Sequence, residues 1–479
     1  MSRVAVIGGG FGGLTAAGEL ASAGHRVTLF EQSFALGGKA QGVSRNGVVL
    51  DTGPTLLTMP AVVRETFARL GAEDLLPRFI RLPHHARYLW TDGRTFDCHD
   101  DLERTAEAAG AFGDQEERGL RAFYAEAAAI HRAAGEPYLE AAFEGVADFL
   151  GRAARRGLRS MMDGMSLGTL DGLARRHLAS PQLQQFVGRF ATYTGASPYQ
   201  ASAAFALIPH LERAFGIHHV EGGMGALVKA LGAALHRLGV EVVLGARADW
   251  SRTAAGLVAG PAGGQREFDA VVVNEDPLAR DPLGTHPLAL SGYVLLLEVD
   301  RRLQLPHHLV AFGGDYRREF AQLFAGQVPS DPTVYFCHPA ASDPTLAPVG
   351  KSGLFVMVNA PALQRETDAE AWTGHAAALR ALCLQTLRRV APELKPEAIS
   401  VLGERTPVDL RARGAPGGSI YGFLPHGKLG AFRRPRIQSR TPGVFYAGGG
   451  THPGGGVPLV MLSGHFASTL VQRHLGGRR

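Results

Sequence analysis

Residues Arg3–Ile7 are an apolar run without polar alternation, the pattern of a strand buried on both faces, and Arg26–Glu31 repeats it. Between them, residues 14–23 are small and helix-compatible, so the chain opens on a predicted βαβ unit. From 99 to about 211 the pattern changes to alanine- and arginine-rich amphipathic stretches, such as 120–132, 138–155 and 167–178, and strand signals become few. This predicts a helical insertion. The α/β pattern returns over 222–276, with a helix at 225–238 and strands at 240–244 and Ala270–Val273. Strands at Ser291–Val299, Val334–Cys337 and 354–359, followed by a long helix at 369–391, predict a second sheet with covering helices. A last strand at 444–447 feeds a glycine-rich loop and a helix at 457–474. No internal repeat and no low-complexity tract is present.

With 479 residues, 45% of them hydrophobic, the chain can bury a large core in two or three domains. Cys98, Cys337 and Cys383 are far apart and form no C-x-x-C, which indicates neither a disulfide framework nor a zinc site and fits a reducing cytoplasm. The formal charge of +5 suits an anionic lipid surface, or simply a mildly basic soluble protein. No apolar run approaches the ~20 residues needed to cross a bilayer. The apolar start breaks at glycines and runs into a helix carrying Glu19, so no export signal is read. The expected location is cytoplasmic, peripherally associated with the membrane.

Two glycine clusters carry the chemistry. In Gly8-x-Gly10-x-x-Gly13, with Phe11 inside the motif, the first glycine permits a tight turn, the second admits a pyrophosphate to the backbone, and the third lets helix pack on strand. Glu31 ends the second strand, where a carboxylate can accept ribose hydroxyls. These residues alone leave NAD and FAD undistinguished. The second cluster is Gly448-Gly449-Gly450-Thr451-His452-Pro453-Gly454-Gly455-Gly456-Val457-Pro458, where side-chain-free backbone precedes a helix whose first turn tolerates proline. The positive end of that helix would favour negative charge on a group bound beside it.

An opening VAVIGGGFGGL with a closing AGGGTHPGGGVP resembles the phytoene desaturase family of FAD-dependent carotenoid oxidoreductases. Leu36-Gly37-Gly38-Lys39 looks like the Gly-Gly-Arg/Lys that helps hold the FAD pyrophosphate, with lysine in place of the commoner arginine. Asp51-Thr52-Gly53-Pro54-Thr55 resembles the family's D-x-G-P loop beside the isoalloxazine ring. Val220 to Val242 resembles its middle segment, whose next strand contacts the adenine through backbone at Ala248, where relatives usually carry valine. Asn274-Glu275-Asp276-Pro277 matches the strand end leading out of that domain, and 411–432 carries a further match. The resemblance implies noncovalent FAD held by Gly8, Gly10, Phe11, Gly13, Glu31, Gly38, Lys39, Pro54, Thr55, Ala248, Gly449, Gly450, Val457 and Pro458.

The implied fold class is α/β: a Rossmann-like FAD-binding domain of amine-oxidase-like architecture, a discontinuous α+β substrate domain and a helical insertion. The implied division is 1–98, 216–285 and 401–479 for FAD, 99–215 for the insertion and membrane-facing part, and 286–400 for substrate. The implied substrate is a linear carotenoid, desaturated by loss of hydride and proton. A second dinucleotide fingerprint is lacking, so oxygen or a quinone is the expected electron acceptor. The closing Gly-Gly-Gly and PLVMLSG look closer to the hydroxycarotenoid 3,4-desaturase branch than to phytoene desaturases proper, with phytoene desaturase, carotene isomerase and flavin amine oxidase as alternatives. No nucleic-acid partner is expected, and no catalytic acid, base or nucleophile is assigned. The reaction needs a dry slot, for which 186–215 and Tyr421-Gly422-Phe423 are candidates, each weighed against ordinary core. The histidine pairs 84–85, 218–219 and 307–308 are read as non-metal, because strand neighbours face opposite ways. His452 is given a structural or flavin-proximal role.

Overall fold

The computed structural model describes residues 1–155, 168–254, 256–427 and 430–477. Segments from the start, middle and end of the chain meet in one five-stranded parallel sheet, in the order Val444–Tyr446, Ala270–Val273, Arg3–Ile7, Arg26–Glu31, Glu241–Leu244. Arg3–Ile7 is uniformly apolar after its first residue because both faces are covered. Val4 and Val6 pack with Leu14, Leu231 and Val471 from helices Phe11–Ser22, Met224–Arg237 and Val457–Gly476. Ala5 and Ile7 point the other way, onto Leu257, Ala259 and Phe268 of a three-stranded antiparallel meander, Ala248–Thr253, Gly256–Pro261 and Arg266–Phe268.

The first and last helices touch backbone to backbone, since a Cβ on Gly464 would collide with the Gly12 carbonyl oxygen. Glu19 clamps this pair. Its carboxylate accepts from Arg69 Nε (2.7 Å) and Ser468 Oγ (2.6 Å) and pairs with His465 Nδ1 (2.8 Å). Burial alone would raise its pKa, but the His465 ring, the Ser468 hydroxyl and Arg69 outweigh it and hold the carboxyl below its usual range.

A seven-stranded sheet follows the order Ile399–Arg405, Ser291–Val299, Ser352–Ala360, Val334–Cys337, His308–Ala311, His84–Leu89, Thr95–His99. All its pairings are antiparallel except that of His308–Ala311 with His84–Leu89. Helix Trp372–Val390 covers one face, bringing Leu379, Cys383 and Leu387 onto Tyr293, Leu295 and Val356. Two sequence boundaries therefore shift. His84–Leu89 and Thr95–His99, grouped above with the first nucleotide-binding piece, extend the second sheet, and Ile399–Arg405 crosses the expected boundary at 400.

In the insertion, the amphipathic stretch at 120–132 belongs to Glu116–Ile130, which runs on through a π turn into Glu136–Leu139. The helix expected at 138–155 breaks after Leu139 and resumes as Val146–Arg155. For the stretch at 167–178, Leu167 lies outside the described residues; helix Leu170–His177 starts where Thr169 Oγ1 accepts from Gly172 N at 3.1 Å. No helix among the described residues is long and apolar enough to cross a membrane.

Candidate cofactor and substrate site

The opening glycine loop is shaped by Asn274. At the end of its strand, Asn274 donates its backbone N–H to Ile7 O (2.7 Å), and its side-chain Nδ2 donates to Gly8 O (3.2 Å). A Cβ on Gly12 would lie 2.7 Å from Asn274 Oδ1, and one on Gly448 at 3.0 Å from the same atom, so one asparagine spaces the first glycine loop from the last. A side chain at Gly13 would collide with the Gly8 carbonyl, which is the close helix–strand approach the motif requires. Helix Phe11–Ser22 has no side-chain cap, leaving its first N–H groups available to an anion. The Phe11 side chain itself is buried in the helix-side core, so only its backbone can serve a ligand.

Glu31 is buried at the end of its strand and braces the loop. Oε2 accepts from Gly9 N at 2.7 Å, and Oε1 from Ser33 N at 2.8 Å. Ala246 N donates to Glu31 O at 2.9 Å, which carries the chain straight to Ala248, the buried first residue of the meander. Gly38 rests on Gly10, where an added Cβ would make ordinary contact at 3.5 Å. Sequence reasoning put Lys39 on a pyrophosphate; here its Nζ donates to Ile420 O at 2.7 Å. Burial lowers the Lys39 pKa, and the charge of nearby Asp276 opposes that shift.

Asp276 is the main residue that the sequence did not single out. Burial raises its pKa, against the pull of the Leu278 N–H, Lys39 and Arg434. Side chains at Gly422 or Gly450 would run into its carboxylate, so those glycines are the space it occupies. Arg434 is buried, and its Nη1 donates to Tyr421 O (3.0 Å) and Gly449 O (2.7 Å). The glycine at 449 thus offers an acceptor as well as open space. Val457 begins the final helix and is buried beneath it, with Pro458 in its first turn and Gly456, at φ 103°, preceding it without a side-chain cap.

The loop containing Pro54 ends at Thr55, whose Oγ1 is 2.7 Å from Tyr335 OH; that hydroxyl is 2.8 Å from His308 Nδ1. The histidine pair at 307–308 does not splay as expected. His307 precedes strand His308–Ala311, so both rings turn together with centroids 4.5 Å apart, and with Cys337 they place potential ligand atoms within 4.8 Å. His452 is enclosed by Tyr138 (4.4 Å), Phe143 and Phe466, and burial pulls its pKa down to about 3. It is therefore neutral at physiological pH. Of the candidate slot residues, Phe186 and Phe190 are ordinary core, packed with Tyr88, Phe96 and Phe312.

Asp51 links the loop to the middle segment by accepting from Met224 N (2.9 Å) and Gly225 N (3.2 Å). Burial raises its pKa to about 6 despite these two bonds. The folded state then holds this proton more tightly than the unfolded chain, so its contribution is greatest below the ordinary carboxylate range and is lost as pH rises through about 6. Relative to Asp51→Asn, the native protein should lose ~1.4 kcal/mol of stability per pH unit across that window. Urea melts of both proteins at pH 4.5, 5.5 and 7 (chosen as roughly spanning it) would show this, and parallel curves would exclude it.

FAD fits these residues. Two glycine loops hold backbone bare on either side of Asn274, two uncapped helix N-termini meet there, and a buried carboxylate ends the second strand. Residues 11–472 match the model of a family described as flavin containing amine oxidoreductase. The chain is 34% identical to hydroxyneurosporene desaturase of Cereibacter sphaeroides, over 99% of this chain and 98% of that protein. It is 35% identical to hydroxyneurosporene desaturase of Rhodobacter capsulatus, over 97% and 96%. Among solved structures, an oxidoreductase from Methanosarcina mazei superposes with a TM-score of 0.65 at 16% identity, covering 97% of this chain and 99% of that one.

Proposed function

Because the chain belongs to the flavin-containing amine oxidoreductase family, and within it to the carotenoid desaturases, we propose that it desaturates an acyclic, hydroxylated carotenoid, at C-3,4 of a 1-hydroxylated chain. FAD is the cofactor, and when bound it supplies an acceptor for hydride. The observation that carries the reading is near end-to-end identity, at 33–35%, with hydroxyneurosporene desaturases.

The residues around the site support a neutral substrate. Arg189 lies close enough to Tyr335 and Tyr421 for its charge to oppose the burial that raises both phenols. A cationic amine arriving beside those rings would meet like charge, whereas a polyene would not. The part of the protein in this chemistry is to hold the cofactor through Glu31 and the glycine loops, to orient an apolar chain, and to keep water out. Oxygen or a quinone reoxidises the enzyme, and the protein works peripherally on a membrane surface, from which its substrate comes.

The test uses FAD-loaded enzyme and a quinone with anionic liposomes carrying 1-hydroxyneurosporene, neurosporene or phytoene separately. A red-shifted product from the hydroxylated carotenoid, formed more slowly at high salt, is the expected result. Conversion of phytoene alone would move the chain to the phytoene desaturases, and no conversion of any carotenoid would remove the reading.

A further inference from the structure

Arg189 is a cation set among aromatic rings, with its guanidinium 5.5 Å from the centroids of Tyr88 and Phe190 and 5.1 Å from that of Tyr193. Nη1 donates to Tyr88 OH and Nη2 to Tyr193 OH, each at 3.2 Å. Phenol oxygens at that distance are modest acceptors, and a guanidinium has five N–H donors. The hydrogen bonds of its guanidinium go to these two phenols, and Glu212 is the carboxylate whose charge acts on it. That carboxylate is one phenol further on, where Tyr193 OH donates to Glu212 Oε1 at 2.5 Å, and Glu212 is buried. A guanidinium donor and a carboxyl acceptor are thus held apart by one hydroxyl.

Their position relates this network to the cofactor cradle. Arg189 and Tyr193 ride on the 3₁₀ turn Arg189–Thr194, which ends at Gly195 in the left-handed region (φ 65°). An added Cβ on Gly195 would lie 3.1 Å from Tyr421 Cδ2, while one on Gly455 in the closing glycine loop would lie 2.5 Å from Tyr421 Cδ1. The turn therefore stands one aromatic ring away from the loop that receives the flavin.

We propose that Arg189, Tyr193 and Glu212 form the subsite that reads the hydroxyl group of the substrate, an inference that rests on the carotenoid reading above. An alcohol on an otherwise apolar chain loses its water on entry and needs both an oxygen-directed donor and an acceptor for its own hydrogen. The guanidinium supplies the first, and the Tyr193 oxygen, whose own hydrogen goes to Glu212, supplies the second. A hydroxyl oxygen on C-1 is three bonds from C-3, so anchoring it fixes which carbons reach the reacting position. A hydrocarbon lacking the hydroxyl would leave these groups unanswered.

Binding is measured without turnover, on FAD-loaded enzyme kept reduced by dithionite, by titrating 1-hydroxyneurosporene and neurosporene in detergent micelles and following tryptophan quenching. Native enzyme should prefer the hydroxylated compound by roughly 10- to 100-fold. Arg189→Met and the nearly isosteric Tyr193→Phe should bring that ratio towards one while neurosporene affinity holds. If Arg189→Met does not fold, Tyr193→Phe decides. A preference that survives in a folded variant, or native enzyme that binds both compounds equally, overturns the subsite and leaves the carotenoid reading standing. Native enzyme that binds neither overturns both.

Discussion

Glu31→Ala protein should purify colourless and bind added FAD at least ~100-fold more weakly than the native chain. The substitution removes the only side chain that accepts from both Gly9 N (2.7 Å) and Ser33 N (2.8 Å) among the described residues. Each orphaned buried N–H costs about 1–3 kcal/mol, and Gly9 lies within the loop that must stay tight around a pyrophosphate. The further lone pairs of the carboxylate are the natural partners of ribose hydroxyls, so the ligand loses contacts as well as a preformed loop. Glu31→Gln keeps one acceptor and should fall between the two. Flavin retained after ultrafiltration, read at the visible flavin band, is the measurement. Full retention in the alanine variant would show that the cofactor is held elsewhere.

The sheet was legible because its strands are covered on both faces. Val4–Ile7 and Ala270–Val273 appear as unbroken apolar runs, and Arg26–Glu31 as an apolar stretch interrupted only by Thr28 between its charged ends, at the positions the structure gives them. The meander is different, since Ala248–Thr253 buries little beyond its first residue and shows solvent a run of polar groups, leaving no apolar pattern to find. His84–Leu89 failed for a related reason: its histidines and Arg87 disguise a strand that needs only Ala86 and Tyr88 for the core. At the site, glycines announced where backbone must come close, but a glycine does not name the group that approaches it. Asn274 and Asp276 fill the space kept free by Gly12, Gly422 and Gly450, hundreds of residues away in some pairs, and only the fold reveals that. Arg189 was likewise hidden within a stretch whose neighbours Phe186 and Phe190 are ordinary core.

Asp276→Ala should be the most damaging change to stability among the site residues. Asp276 lies where its charge acts on both Lys39, whose side chain reaches solvent, and Arg434, which is buried. Burial lowers the pKa of Arg434, which shows how poorly its site tolerates uncompensated positive charge. Removing the carboxylate leaves buried Arg434 without the opposing charge beside it, a loss that solvent access at Lys39 holds below the ~3–5 kcal/mol of a fully buried pair. It also frees the space beside Gly422 and Gly450, so the closing loop loses the wall that shapes it. Asp276→Asn keeps the shape and removes only the charge, which separates the two effects. If charge dominates, Asn and Ala should fall together in chemical denaturation, and adding Lys39→Met to either should restore part of the loss. If both single variants melt with the native protein, Asp276 does not balance these bases, and the closing loop must be held by Arg434 alone through its bonds to Tyr421 O and Gly449 O.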